Sequence, residues 1–172
     1  MSEPADAGPL RLVLGVTPDQ PDAVVEEAAA IAQRIGAELV LAVVDPATYV
    51  VDQDIEGRVV AWPLDPDAAE EVTERFDPEL QRHLEAILRP TGIRYDFRAL
   101  AGDPAQQLAR LADELEAQAI VVGVRKRGLR AAAHEFLNGS VGVHLAHRQH
   151  RPVIVIPVDP VGFETKLPWE ED

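Results

Sequence analysis

No cysteine occurs in the 172 residues, which removes disulfide cross-links, thiolate catalysis and cysteine-ligated zinc together. No apolar run approaches the ~20 residues that a membrane-spanning helix needs. The opening MSEPADAGPL carries acids and prolines where a secretory signal would carry positive charge and an apolar core. A soluble, cytoplasmic protein is therefore expected. Basic residues are scarce, 16 Lys and Arg against 30 Asp and Glu for a formal charge of −14, and phosphate neutralisation drives nonspecific nucleic-acid binding, so that class is disfavoured. No G-x-S-x-G elbow surrounds a serine, and no paired acid–base constellation supports a committed enzymatic reading.

What the chain does have is a hydrophobic content of 47% beside 27% charged residues, the balance of one globular domain with a sizeable core. Residues 1–9 are expected as a disordered leader, 10–158 as the domain and 159–172 as an acidic tail. Within the domain, Leu12–Val16 reads as a strand. Val24, Ala28, Ile31, Ala32 and Ile35 then recur at helical spacing, with Asp19 or Gln20 expected as the cap ahead of Pro21 and Gly36 as the stop. Leu39–Val44 is apolar throughout, as a strand covered on both faces would be.

Residues 45–66, punctuated by Pro46, Gly57, Pro63 and Pro66, are long for a connection and read best as an insertion in which Tyr49, Val50 and Val51 form a short element. A helix is expected over 67–76, restarting at Asp77-Pro78 with Leu80, Leu84, Ile87 and Leu88 inward and halted by Pro90-Thr91-Gly92. Arg94–Leu100 alternates like a strand at a sheet margin. Asp103 and Gln106 sit at capping-box spacing ahead of Leu108, Leu111, Ala112 and Leu115. Two further buried strands are expected, Ala119–Val122 and Val153–Ile156. Apolar strands alternating with amphipathic helices predict an α/β fold, a doubly wound parallel sheet with helices on both faces. Ligands in such sheets bind at strand carboxyl ends where the winding reverses, which places Gly15–Thr17 near Gly123.

The region after Gly123 is where the charge changes sign. Between Gly123 and Arg151 stand Arg125, Lys126, Arg127, Arg130, Arg148 and Arg151 against the single acid Glu135. A basic island in an acidic chain concentrates anions at one place. Strand, glycine-containing basic loop and a helix start after Gly139-Ser140 together form a device for holding phosphate, because free N–H groups and the helix dipole both favour an anion. Arginines paired with acids elsewhere are the bland alternative.

Other constellations are weaker. His144, His147 and His150, with His134 nearby, share spacing that could bind a metal, but no carboxylate completes a ligand set and Arg148 and Arg151 would repel a cation. Surface histidines are the expectation. Asp19, Asp22 and Asp103 could hold magnesium accompanying a nucleotide, although two of them read as helix caps. Trp62 and Trp169 lie in Pro-flanked segments, where packing is the default.

Taken in order, RLVLGV, IGAELVLAVV, GDPAQQLARLA, IVVG, Gly139-Ser140-Val141 and RPVIVIP resemble the universal stress protein family over roughly residues 11–158. The resemblance implies a flavodoxin-like five-stranded sheet and commonly a homodimer, here through the last strand, Val153–Ile156. Many members bind ATP, with Mg possible, in a loop of pattern Gly-x2-Gly-x9-Gly-Ser/Thr. Gly123 matches its first glycine and Gly139-Ser140 its last pair. Lys126 stands at the second glycine, the spacing is longer with Gly128 as a partial substitute, and Thr17 stands where an acid often follows the first strand.

The resemblance thus implies an adenine-nucleotide pocket from Val16, Thr17, Gly123, Arg125, Gly128, Gly139 and Ser140, with Arg125, Lys126 and Arg127 offsetting phosphate charge. The alternative is a dimeric interaction module of the same fold that binds no nucleotide. Slow ATP hydrolysis is the most enzymatic activity the family implies.

Overall fold

A computed structural model describes residues 8–46, 48–53, 59–63, 72–73, 76–124 and 141–158. Five strands form one parallel sheet: β1 (Arg11–Val16), β2 (Glu38–Asp45), β6 (Tyr95–Ala101), β7 (Ala119–Val124) and β8 (Val153–Pro157). Their order is β6-β2-β1-β7-β8. The chain winds outward from β1 through β2 to β6, then returns to the other side of β1 and continues through β7 to β8. Numbered along this sheet alone, the order is 3-2-1-4-5, a doubly wound α/β arrangement that puts the reversal of winding between β1 and β7.

Strand periodicity builds both layers. Side chains alternate between faces along a strand, so Leu12, Leu14, Leu39, Leu41 and Val121 are buried against α1 (Asp22–Ile35) and α2 (Pro78–Leu88). Val13, Val40, Ala42, Ile120 and Val122 are buried on the opposite face with Leu108 and Leu111 of α3 (Pro104–Glu114) and Leu145 of α4 (Val141–Arg148). The central strands read as unbroken apolar runs because each face has its own helices.

Helix ends follow local chemistry. Asp77 accepts from the N–H groups of Glu79 (2.8 Å) and Leu80 (2.7 Å), and a 3-10 turn (Arg89–Thr91) closes α2 ahead of Gly92 at φ 70°. Asp103 accepts from Gln106 N–H at 2.8 Å to start α3. Gly36, at φ 67°, ends α1 as expected. The start of α1 differs from expectation: neither Asp19 nor Gln20 caps it. Gln20 N–H donates to the Thr17 carbonyl at 3.0 Å, and the cap position is Pro21 without a side-chain bond. The turn is closed by backbone, which leaves the Gln20 side chain to point elsewhere. Ile35, expected on the inward stripe, is exposed in the last turn of α1, where the buried stripe ends at Ala32.

The 45–66 stretch does carry structure. β3 (Thr48–Gln53) and β4 (Val59–Pro63) pair antiparallel with Tyr49 opposite Trp62, and β5 (Val72–Thr73) adds to β4 as a separate three-stranded sheet. Val72 and Thr73 are therefore strand, not the helix expected over 67–76; two adjacent β-branched residues favour the extended state. The rest of 67–76 up to Arg75 lies outside the described residues, as do 1–7 of the expected leader and all of 159–172.

The margins of the main sheet also differ. β6 is an edge strand, as its alternation predicted, held by rings: Phe76 lies 4.9 Å from Phe97 and Tyr95 5.7 Å from Phe97, centroid to centroid. β8 is the other edge and not the fully buried strand its composition suggested. It pairs only with β7 among the described residues; Ile156 is buried while Val155 is 47% exposed.

Candidate functional site

The reversal point forms a cleft. In the parallel register Gly15 of β1 lies beside Val122 of β7, and a cavity of about 260 Å³ opens at the carboxyl ends of these strands. That is close to the lower end of the roughly 300–1,000 Å³ of small-molecule sites. Among the described residues, Gly15, Val16, Thr17 and Gln20 line it from β1 and the turn that follows, and Ala42 and Val44 from β2. Pro104 and Leu108 of α3, Val122 and Gly123 of β7, Val141 of α4 and Val158 complete the wall.

Two glycines allow this geometry by having no side chain. A Cβ on Gly15 would stand 2.9 Å from Leu108 Cδ1, and one on Gly123 would stand 3.0 and 3.1 Å from the two Cγ atoms of Val24. Neither residue is at a positive φ. Their role is close approach of α3 and α1 to the sheet, not a special backbone conformation.

The polar side chains come from one stretch of chain, the turn after β1. The walls from β2, β7 and the helices are apolar, suited to a flat ring system. Thr17 and Gln20 supply the polar side chains, and the Gln20 amide nitrogen Nε2 is buried with no hydrogen-bond partner among the described residues. α3 and α4 both begin at the cleft, with Pro104 and Val141 in its wall. Helix N-termini favour an anion, but Asp103 already occupies the first turn of α3. That leaves the start of α4, immediately after Ser140 in the chain, as the more favourable end for one.

The structure thus brings together Val16, Thr17 and Gly123 of the residues expected from sequence. Arg125, Lys126, Arg127, Gly128, Gly139 and Ser140 lie outside the described residues. Sequence reasoning missed Gln20, Ala42, Val44, Leu108, Val141 and Val158. A usable signal existed for Ala42 and Val44, which share the α3-facing parity of Gly15, and for Leu108, which lies on the inward stripe of α3; none existed for Gln20, whose role depends on the turn that carries it.

Nothing among the described residues groups three metal-ligating side chains. Asp22 Oδ1 lies 2.7 Å from His83 Nε2, linking α1 to α2, and Asp103 is the α3 cap. His144 and His147 lie on α4, and His150 lies beyond its end. No helix among the described residues is long and apolar enough to cross a membrane.

Comparison with known proteins agrees with this architecture. The model of the universal stress protein family matches residues 10–157. A universal stress protein crystallised with cAMP is 22% identical at a TM-score of 0.58, the match covering 87% of this chain and 98% of that one. One from Archaeoglobus fulgidus in complex with dAMP is 22% identical at 0.54, covering 85% and 96%. One from Arabidopsis thaliana with AMP bound is 12% identical at 0.54, covering 88% and 93%. No curated protein sequence matches at a significant level. At these identities the solved structures establish shared fold, while the family model spans nearly the whole domain. The chain belongs to the universal stress protein family.

Proposed function

We propose that this protein binds an adenine nucleotide in the cleft between β1 and β7 and acts as a cytoplasmic stress-response protein through that binding. The observation that carries the reading is the cleft itself: an apolar slot of about 260 Å³ at the winding reversal, with a buried amide donor and two helix starts on its rim. The slot suits a nucleoside. Its size leaves the phosphates of ATP to the chain after Gly123, where Arg125, Lys126 and Arg127 precede Gly128, Gly139 and Ser140. Arginine side chains can hold phosphate oxygens in place of backbone donors. That related folds were crystallised with cAMP, dAMP and AMP supports the ligand class.

Isothermal titration of nucleotide-free protein with AMP, cAMP and ATP, the last with and without Mg, tests this. One saturable site per chain is expected. Replacing Arg125 and Arg127 together by Ala should weaken ATP more than AMP. Absence of saturable binding by all three would overturn the reading.

A second reading rests on β8. This edge strand leaves Val155 47% exposed, and an unpaired apolar edge is a template for a second copy. A homodimer joined along Val153–Ile156 would use it, with or without nucleotide. Light scattering should then report a dimer that Val155→Lys converts to a monomer; a wild-type monomer at micromolar concentration would contradict it.

A further inference from the structure

The Gln20 side chain occupies an unusual position for an amide. Its backbone is fixed on both sides: its N–H closes the turn onto the Thr17 carbonyl at 3.0 Å, and the next residue is Pro21 at φ −61°. The side chain lies in the cleft wall with Thr17, Gly123 and Val158, and its Nε2 is buried without a partner among the described residues. A buried donor left unpaired lowers stability, because the hydration it gives up is not replaced. Such a donor in the wall of a ligand cleft is satisfied when a ligand acceptor reaches it, and ligands lacking that acceptor are rejected.

Resting on the nucleotide reading above, we propose that Gln20 is the residue by which this cleft selects its ligand, donating a hydrogen bond from Nε2 to an acceptor oxygen in the sugar–phosphate portion of the nucleotide. Position favours that portion over the base. Gln20 ends the turn that follows β1, and β1 pairs with β7, after which the basic segment begins, whereas Ala42 and Val44 come from β2 on the other side of β1 and Leu108 from α3. Chemistry favours it too. An uncharged amide can donate to an anionic oxygen without repelling it, as a carboxylate in the same place would. Thr17 and Gln20, both uncharged, are the residues of the turn after β1 that line the cleft, and Asp19 between them is not part of its wall.

The test uses the full chain and two substitutions, Gln20→Met and Gln20→Glu, with affinity for AMP and adenosine and the ligand-free melting temperature measured for each. Gln20→Met keeps length and removes the donor; it should weaken AMP about tenfold while leaving the ligand-free melting temperature unchanged or raised. Gln20→Glu should weaken AMP further and adenosine less. A Gln20→Met protein that binds AMP within about twofold of wild type would overturn the proposal, the amide then being a packing defect unrelated to ligand. So would a Gln20→Met protein that loses melting temperature along with affinity, the amide then being a structural partner. Wild-type protein that binds no adenine nucleotide removes the nucleotide reading and this proposal together; wild-type binding that is indifferent to residue 20 removes this proposal alone.

Discussion

Gly123→Ala probes the contact that joins the fold to the cleft. Gly123 sits in β7 with ordinary strand geometry, so replacing it should, from the unfolded chain alone, stabilise by about 0.4–1 kcal/mol. The folded state opposes this. The added methyl would stand 3.0 Å from Val24 Cγ2, 3.1 Å from Val24 Cγ1 and 3.6 Å from Val158 Cγ2. Val24 is fully buried on α1, and a β-branched residue in a helix has essentially one rotamer. Because both methyls crowd the same point, rotation exchanges one clash for the other. Relief must come from moving α1, an overpacking cost of about 1–3 kcal/mol. The net expectation is destabilisation of about 1–2 kcal/mol, read as a fall in melting temperature of roughly 2–8 °C. Val24→Ala should partly rescue it, so that the double substitution is less destabilising than the sum of the singles by about 1 kcal/mol in urea denaturation. A Gly123→Ala protein as stable as wild type, or strictly additive singles, would refute the packing argument.

Removing a helix cap should be costly at either of two sites. Asp77→Ala and Asp103→Ala should each lower stability by about 1 kcal/mol in urea denaturation, whereas Asp19→Ala should not lose a cap, since α1 starts at Pro21 without one. Arg151 and Asp113 form a pair with unequal weight. Arg151 Nε donates to the Ala112 carbonyl at 3.0 Å with its side chain 24% exposed, while Asp113 is 83% exposed. Arg151→Ala should therefore cost about 1–2 kcal/mol and Asp113→Ala less than about 0.5 kcal/mol by the same assay.

The sheet was legible because burial on two faces writes unbroken apolar strands. Leu39 to Ala42, all buried, need no tertiary information to be read as central. Asp77, Asp103 and Gly36 were legible because caps and stops are set by one or two residues. The small sheet was harder: Val72-Thr73 follows a run of acids and alanines that also suits a helix, and pairing with β4 decides the outcome. β8 has the composition of a central strand, yet nothing in Val153–Pro157 records that only one neighbour pairs with it among the described residues. In the cleft, Val16, Thr17 and Gly123 were found because a winding rule places strand ends. Asp19 or Gln20 was read as the cap ahead of the proline-led α1, and only the folded turn shows that neither caps it and that Gln20 lines the cleft.

An adenine nucleotide in the β1/β7 cleft would touch the side chains that line it and spare those buried away from it in the α1/α2 layer. Methyl-labelled NMR during titration with AMP tests binding and place together. Saturable shifts at Val16, Leu108, Val122 and Val141 are predicted, with Val25 and Leu88 in the opposite layer unmoved. Absence of saturable shifts, or shifts confined to β8 while the cleft methyls stay still, would rule out nucleotide binding in this cleft.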